Sequence, residues 1–112
     1  MIRKATLEDL DQVTNLFDQY VVFYKNPSNF EKHKAYLKER LENNEAIVFL
    51  AFDDENKEKA IGFALIYVTF SSLALNKIII LNDLFVDSGV RKNGIGEKLI
   101  KETIKFAKEL GS

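Results

Sequence analysis

The chain has no cysteine, which excludes disulfides and thiolate zinc sites together. Its one histidine, His33, cannot build a metal site without carboxylate help. Neither charge is in excess. Sixteen Lys and Arg face seventeen Asp and Glu, a formal net charge of -1, so there is no electrostatic reason to expect nucleic-acid binding. No apolar run reaches the roughly 18 residues that spanning a bilayer requires. Met1-Ile2-Arg3-Lys4-Ala5 leads straight into a structured pattern, without the apolar core of a signal peptide. These absences predict a reduced, cytoplasmic protein with no metal, no membrane and no nucleic-acid partner. At 112 residues the length suits one domain, residues 1–112, around one core. Nine Phe and four Tyr supply material for it.

The apolar periodicity predicts the order β-α-α-β-β-β-α. Met1 to Ala5 reads as a short strand. Thr6 and Asp9 then form a pattern like a capping box, with Asp in place of Glu. Leu7, Leu10, Val13, Leu16, Phe17, Tyr20, Val21 and Tyr24 recur at three- and four-residue steps, one face of a helix. Asn26-Pro27-Ser28 breaks it. Ser28 and Glu31 give a second capping-box pattern, opening a charged helix to about Asn43. Ala46 to Phe52 and Ala60 to Phe70 are strands around a charged turn. Gly62 there permits a bulge or a close backbone approach. Lys77 to Val86 is a third strong strand, so rich in Ile and Leu that burial on both faces is expected. Ile95 to Leu110 is a helix with Ile95, Leu99, Thr103, Ala107 and Leu110 along one side, and Gly111 fits a C-terminal cap.

The informative segment is Leu81 to Leu99, where a strand runs into a polar turn and a helix begins. Gly94 and Gly96 let backbone approach a ligand closely. The helix start adds unpaired N–H donors and the positive end of the dipole. Arg91 and Lys92 add charge to the turn, and the whole suits a pyrophosphate. A Gly-x-Gly at a helix start is equally often just a tight turn. The Walker A pattern fails for want of Gly-Lys-Ser/Thr, and the dinucleotide pattern fails for want of a third Gly.

Arg91-Lys92-Asn93-Gly94-Ile95-Gly96 resembles the Arg/Gln-x-x-Gly-x-Gly/Ala signature of GNAT superfamily N-acetyltransferases. Asn82-Asp83-Leu84-Phe85-Val86 is similar to the strand that holds the pantetheine arm in that family. Ile61-Gly62-Phe63-Ala64-Leu65-Ile66-Tyr67 is similar to its third strand, and Ile2-Arg3-Lys4-Ala5-Thr6 to its first strand and helix cap. The flavour of these segments is that of the diamine (spermidine/spermine) branch. The resemblance implies an α/β (α+β) fold with a mixed, mostly antiparallel sheet. It also implies transfer of an acetyl group from acetyl-coenzyme A (acetyl-CoA) to a primary amine: a polyamine, an amino acid, another small amine or a protein amine. The backbone of Leu84, Phe85 and Val86 would hold pantetheine. The turn and helix start, Arg91, Lys92, Asn93, Gly94, Ile95, Gly96 and Glu97, would hold the pyrophosphate.

An acidic residue on the pantetheine strand is the family's usual base. The diamine branch has Glu where this chain has Asn82, which cannot act as a base. Asn82 is left as an acceptor contact, with Tyr24 as another. Asp83 remains as the catalytic base or a water-positioning group, although the alternation of a strand could turn it to the core side. The family continues past the last helix with a fifth strand and a Tyr that serves as acid. This chain reaches Gly111-Ser112 where that strand would start, so it is expected to be truncated before it. The exposed strand edge would then be a pairing hazard and favours a homodimer. A non-catalytic acyl-CoA-binding module, or a sheet-edge interaction module, is the competing reading. His33 reads as a solvated surface residue, and the charged run from Glu31 to Glu42 as a solvated helix face.

Overall fold

The computed structural model describes residues 1–87, 89 and 94–111. Its elements are β1 (Ile2–Lys4), α1 (Leu10–Phe23), α2 (Phe30–Glu42), β2 (Ala46–Phe52), β3 (Ala60–Ser71), β4 (Asn76–Val86) and α3 (Ile95–Glu109). The order is the expected one, β-α-α-β-β-β-α. The four strands form one sheet in the order β1-β2-β3-β4, and each neighbouring pair is antiparallel. Among the described residues no helix is long and apolar enough to cross a membrane.

Strand alternation divides the core into two halves, and a shift in the β2–β3 register that leaves Ile61 unpaired turns it to the face opposite Phe63. Val48, Leu50, Phe52, Phe63, Leu65 and Phe85 point to one face, where Leu10, Val13 and Leu16 of α1 and Leu37 of α2 cover them. Phe49, Ala51, Ile61, Ala64 and Ile66 point to the other, where Ile95 and Leu99 of α3 close over them. β2 and β3 lie inside the sheet with helices on both sides. Their near-continuous apolar runs follow from that position.

Local chemistry sets the helix ends. Thr6 and Asp9 make the expected capping box over a short 3-10 turn, Leu7–Asp9, that leads into α1. Both guanidinium nitrogens of Arg3 donate to Asp9 at 2.8 Å, tying β1 to that turn. α2 departs from expectation. Its cap is Asn29, whose side chain accepts from Lys32 N–H. Ser28 instead gives its hydroxyl to Asp18, since an α1 carboxylate stands within its reach. Gly111 takes a positive φ of 78° after the last turn of α3, as a C-terminal glycine cap should.

The expectation that the Lys77–Val86 strand is buried on both faces is not met. β4 is the outer strand of the sheet, and among the described residues it pairs only with β3. Ile80 is 48% exposed, and Leu81 is exposed beside it. Ile-rich sequence marks a strand, but exposure depends on how many neighbours the strand has. Phe70, Leu73 and Leu75 also project into solvent at the β3–β4 turn. Gly62 sits where a close approach requires it. A Cβ there would stand 3.1 Å from the carbonyl oxygen of Phe85, tighter than packed side chains sit.

Candidate functional site

The geometry of the site begins with an irregularity in β4. Leu65 lies opposite Asp83, but Ile66 lies opposite Leu81. Asn82 is therefore the extra residue of a bulge, which re-aims the chain beyond it. Past the bulge, Asp83 and Phe85 lie opposite Leu65 and Phe63 and share the face covered by α1. Leu84 and Val86 lie opposite Ala64 and Gly62 and pack on the α3 side. Asp87 N–H donates to Ile61 O at 2.8 Å. By the alternation of an antiparallel ladder, the peptide groups of Phe85 then turn toward β3. Those of Leu84 and Val86 turn toward the edge that β3 does not occupy.

Asp83 is 9% exposed. Asn82 Nδ2 donates to its Oδ2 at 2.9 Å, and the hydroxyl of Tyr20, from α1, lies near enough to feel the same carboxylate. Burial and then that carboxylate push the Tyr20 hydroxyl up to about 12. Tyr67 and Tyr36 stand nearby with their hydroxyls 2.7 Å apart. Burial and then the Tyr36 hydroxyl hold Tyr67 above the usual phenol range, and Asp83 adds to the effect. Aromatic rings cluster about Tyr20, which meets Phe63, Phe85 and Tyr24 edge-on, with centroids 5.8, 6.0 and 5.0 Å away. A buried carboxylate beside aromatic rings and tyrosine hydroxyls is a setting for a cation.

Beside it, a cavity of about 370 Å³ opens between the end of α1, the end of β4 and the first turn of α3. Phe23, Tyr24, Leu84, Phe85, Val86 and Gly96 line it. Gly94, the N-cap of α3, adopts φ 67°, the left-handed region that favours glycine. Gly94 brings no side chain to cap this helix start, and its first N–H groups lack intrahelical acceptors by geometry. Among the described residues, a Cβ on Gly96 would meet only Val86 Cγ2, at an ordinary 3.9 Å. Packing therefore does not require glycine at this position. Its bare backbone leaves the helix start open to the cavity, which suits an anionic ligand.

The structure brings together Tyr24, Leu84, Phe85, Val86 and Gly96 of the expected site, with Asn82 and Asp83 adjoining on β4. Asp83 is not among the residues of the cavity wall. Ile95 is buried in the core under the sheet. Glu97 extends into solvent, 3.4 Å from Lys101. Arg91, Lys92 and Asn93 lie outside the described residues. His33 is not the solvated residue expected from its charged helix. Its side chain is only 17% exposed, and its Nδ1 lies 2.7 Å from Asp18 Oδ1. The Phe17 ring packs against it edge-on at 5.4 Å. Tyr20 belongs to the apolar face expected of α1, and nothing in the sequence ties it to a residue 63 positions later.

Comparison with known proteins follows the same lines. The model of the acetyltransferase (GNAT) family matches residues 10–112. The N-acetyltransferase YhfO of Bacillus subtilis (strain 168), itself uncharacterized, is 40% identical over 111 residues, covering 99% of this chain and 72% of that protein. The crystal structure of a probable acetyltransferase superposes with a TM-score of 0.93 at 35% identity, over 100% of this chain and 74% of the other. A predicted acetyltransferase from Clostridium acetobutylicum, crystallised with acetyl-CoA, shares the fold with a TM-score of 0.75 at 19% identity. That match covers 97% of this chain and 73% of the other.

Proposed function

Because the chain belongs to the acetyltransferase (GNAT) family, we propose that it transfers an acetyl group from acetyl-CoA to a small primary amine at the junction of β4, α1 and α3. The observation that carries this reading is the cavity walled by Leu84, Phe85, Val86 and Gly96. It sets an outward-turned strand backbone beside a helix start whose N-cap is glycine. The Leu84 peptide groups, turned away from β3, suit the amides of a pantetheine arm. The first turn of α3 suits the pyrophosphate, with Gly94 and Gly96 keeping side chains out of the way. Arg91, Lys92 and Asn93 would complete the turn.

In this reading the amine nitrogen attacks the thioester carbonyl, a C–N bond forms, and the C–S bond breaks to release the thiolate. The nitrogen must lose a proton along the way. Asp83 receives it, by way of the neighbouring Tyr20 hydroxyl or of a water. Tyr24 and Asn82 border the path to that carboxylate and contact the acceptor. The rings beside Asp83 favour a cationic amine on approach. Polyamines, in keeping with the diamine-like flavour of β3 and β4, and amino acids are both candidate acceptors.

Thiol release from acetyl-CoA, measured with a panel of primary amines, tests the reading. Amine-dependent release supports it. Tight acetyl-CoA binding with no release for any amine would favour a non-catalytic acyl-CoA-binding module instead.

A further inference from the structure

A second cavity, of about 430 Å³, opens between α1, the turn after it and α2. Its apolar walls are Phe17 and Val21 of α1 and Tyr36 of α2; its polar side carries Asn29, Lys32 and His33. Asp18 fixes this polar side. Its carboxylate accepts from the Ser28 hydroxyl, from Asn29 N–H at 2.9 Å, and from His33 Nδ1 at 2.7 Å. Those three donors hold Asp18 below the usual carboxylate range, Ser28 first. The negative charge of Asp18 is thus already matched inside the protein.

Three groups on this polar side are left over. With Nδ1 donating to Asp18, His33 Nε2 makes no bond among the described residues, and it donates only from the doubly protonated ring. Asn29 uses its Oδ1 to accept from Lys32 N–H, which leaves its Nδ2 amide. Lys32 has no ion-pair partner among the described residues, whereas its neighbour Lys34 holds Asp11 at 2.9 Å. A wall with a lysine, an imidazole and an amide donor, opposite an aromatic and aliphatic wall, suits a carboxylate on an apolar stem.

A chain of rings leads from this cavity toward Asp83. Phe17, on its wall, lies between His33 and Tyr20, with centroids at 5.4 and 6.1 Å, and the Tyr20 hydroxyl feels the Asp83 carboxylate. Tyr36, on the wall, meets the hydroxyl of Tyr67 at 2.7 Å. We propose that the cavity between α1 and α2 binds the carboxylate end of the acceptor, held by Lys32, His33 and Asn29, so that the acceptor is an amine bearing a distant carboxylate. The inference rests on the acetyl-transfer reading, since it takes the amine end to lie at Asp83.

The test compares kcat/KM for hexylamine, 1,6-diaminohexane and 6-aminohexanoate at saturating acetyl-CoA, in the native chain and in Lys32→Met. A charged hydrogen bond at a partly exposed site is worth about tenfold. The native chain should prefer 6-aminohexanoate over hexylamine by about that factor, and Lys32→Met should remove most of the preference. Equal rates, a preference for the diamine, or a Lys32→Met effect that falls equally on all three amines would overturn the proposal. If His33 and Asp18 only clamp α1 to α2, His33→Gln lowers the melting temperature without changing the preference. Should no amine be acetylated, the acetyl-transfer reading fails and the cavity is judged by binding. The His33 imidazole resonances should then shift on adding hexanoate and not on adding hexylamine, and their failure to respond to hexanoate overturns the subsite.

Discussion

Asn82 Nδ2 donates to the Oδ2 of the next residue, Asp83, at 2.9 Å, a contact that the bulge at Asn82 makes possible. In a regular strand the two side chains would point to opposite faces. Here the amide of one residue holds the carboxylate of the other, and the Tyr20 hydroxyl stands near it from α1. Asp83→Asn keeps the shape but cannot take a proton. Turnover should fall about a hundredfold or more, with acetyl-CoA affinity unchanged. Tyr20→Phe should fall less, about tenfold, again in kcat rather than in acetyl-CoA affinity. Steady-state kinetics at saturating acetyl-CoA, beside calorimetric affinity, checks both.

The two glycines at the start of α3 should behave differently. Gly94 is held at φ 67°, so Gly94→Ala costs about 1–2 kcal/mol, although a Cβ there meets nothing within 4 Å. Gly96 is helical with room for a Cβ. Gly96→Ala should leave stability unchanged or raise it by up to about 1 kcal/mol. Thermal melts of both variants decide this. Equal destabilisation of the two would contradict it.

Asp9 gives a pH dependence. Its carboxyl is pushed down to about 2, first by the two-pronged Arg3 guanidinium, against burial, and then by Thr6 N–H. A carboxyl depressed in the folded state stabilises it fully above the unfolded value near 4. That contribution is lost as pH falls through about 2. Arg3→Ala should therefore cost about 1 kcal/mol at pH 7, the guanidinium being partly exposed, and nearly nothing at pH 2. A deficit that stays constant with pH in urea melts would show that Arg3 acts by packing on Phe52, whose ring lies 4.7 Å below it.

Local signals carried most of the fold. The Thr6–Asp9 box, the apolar steps of α1, the Ala46–Phe52 run and Gly111 each depend on neighbours within a few residues, and each stands as the sequence implies. Long-range relationships were not legible. Periodicity does not reveal that β4 has one neighbour, and no local pattern marks Asn82 as a bulge. The cap of α2 moved from Ser28 to Asn29 because Asp18, ten residues earlier, competes for the serine hydroxyl. His33 looked solvated for the same reason: its partner is on another helix. At the site, the glycines and the β4 backbone were readable, while the Tyr20–Asp83 contact exists only once α1 lies on the sheet.

The exposed edge of β4 yields a prediction about assembly. With Ile80 and Leu81 at that edge, the chain should form a homodimer through it. Light scattering should report the dimer at micromolar concentrations, and Ile80→Lys should weaken it by placing a charge on the pairing strand. A monomer across a wide concentration range would count against this.

Calorimetric titration of acetyl-CoA into the native chain and into Gly96→Val tests the central claim most directly. A Cβ at that position stands at an ordinary 3.9 Å from Val86 Cγ2, and a branched side chain built on it takes up space over the first turn of α3. The account predicts binding to the native chain and a loss of at least tenfold in Gly96→Val, with an unchanged circular dichroism spectrum. Equal affinity in the two proteins would place the acetyl donor elsewhere and contradict the assignment of the β4–α3 junction.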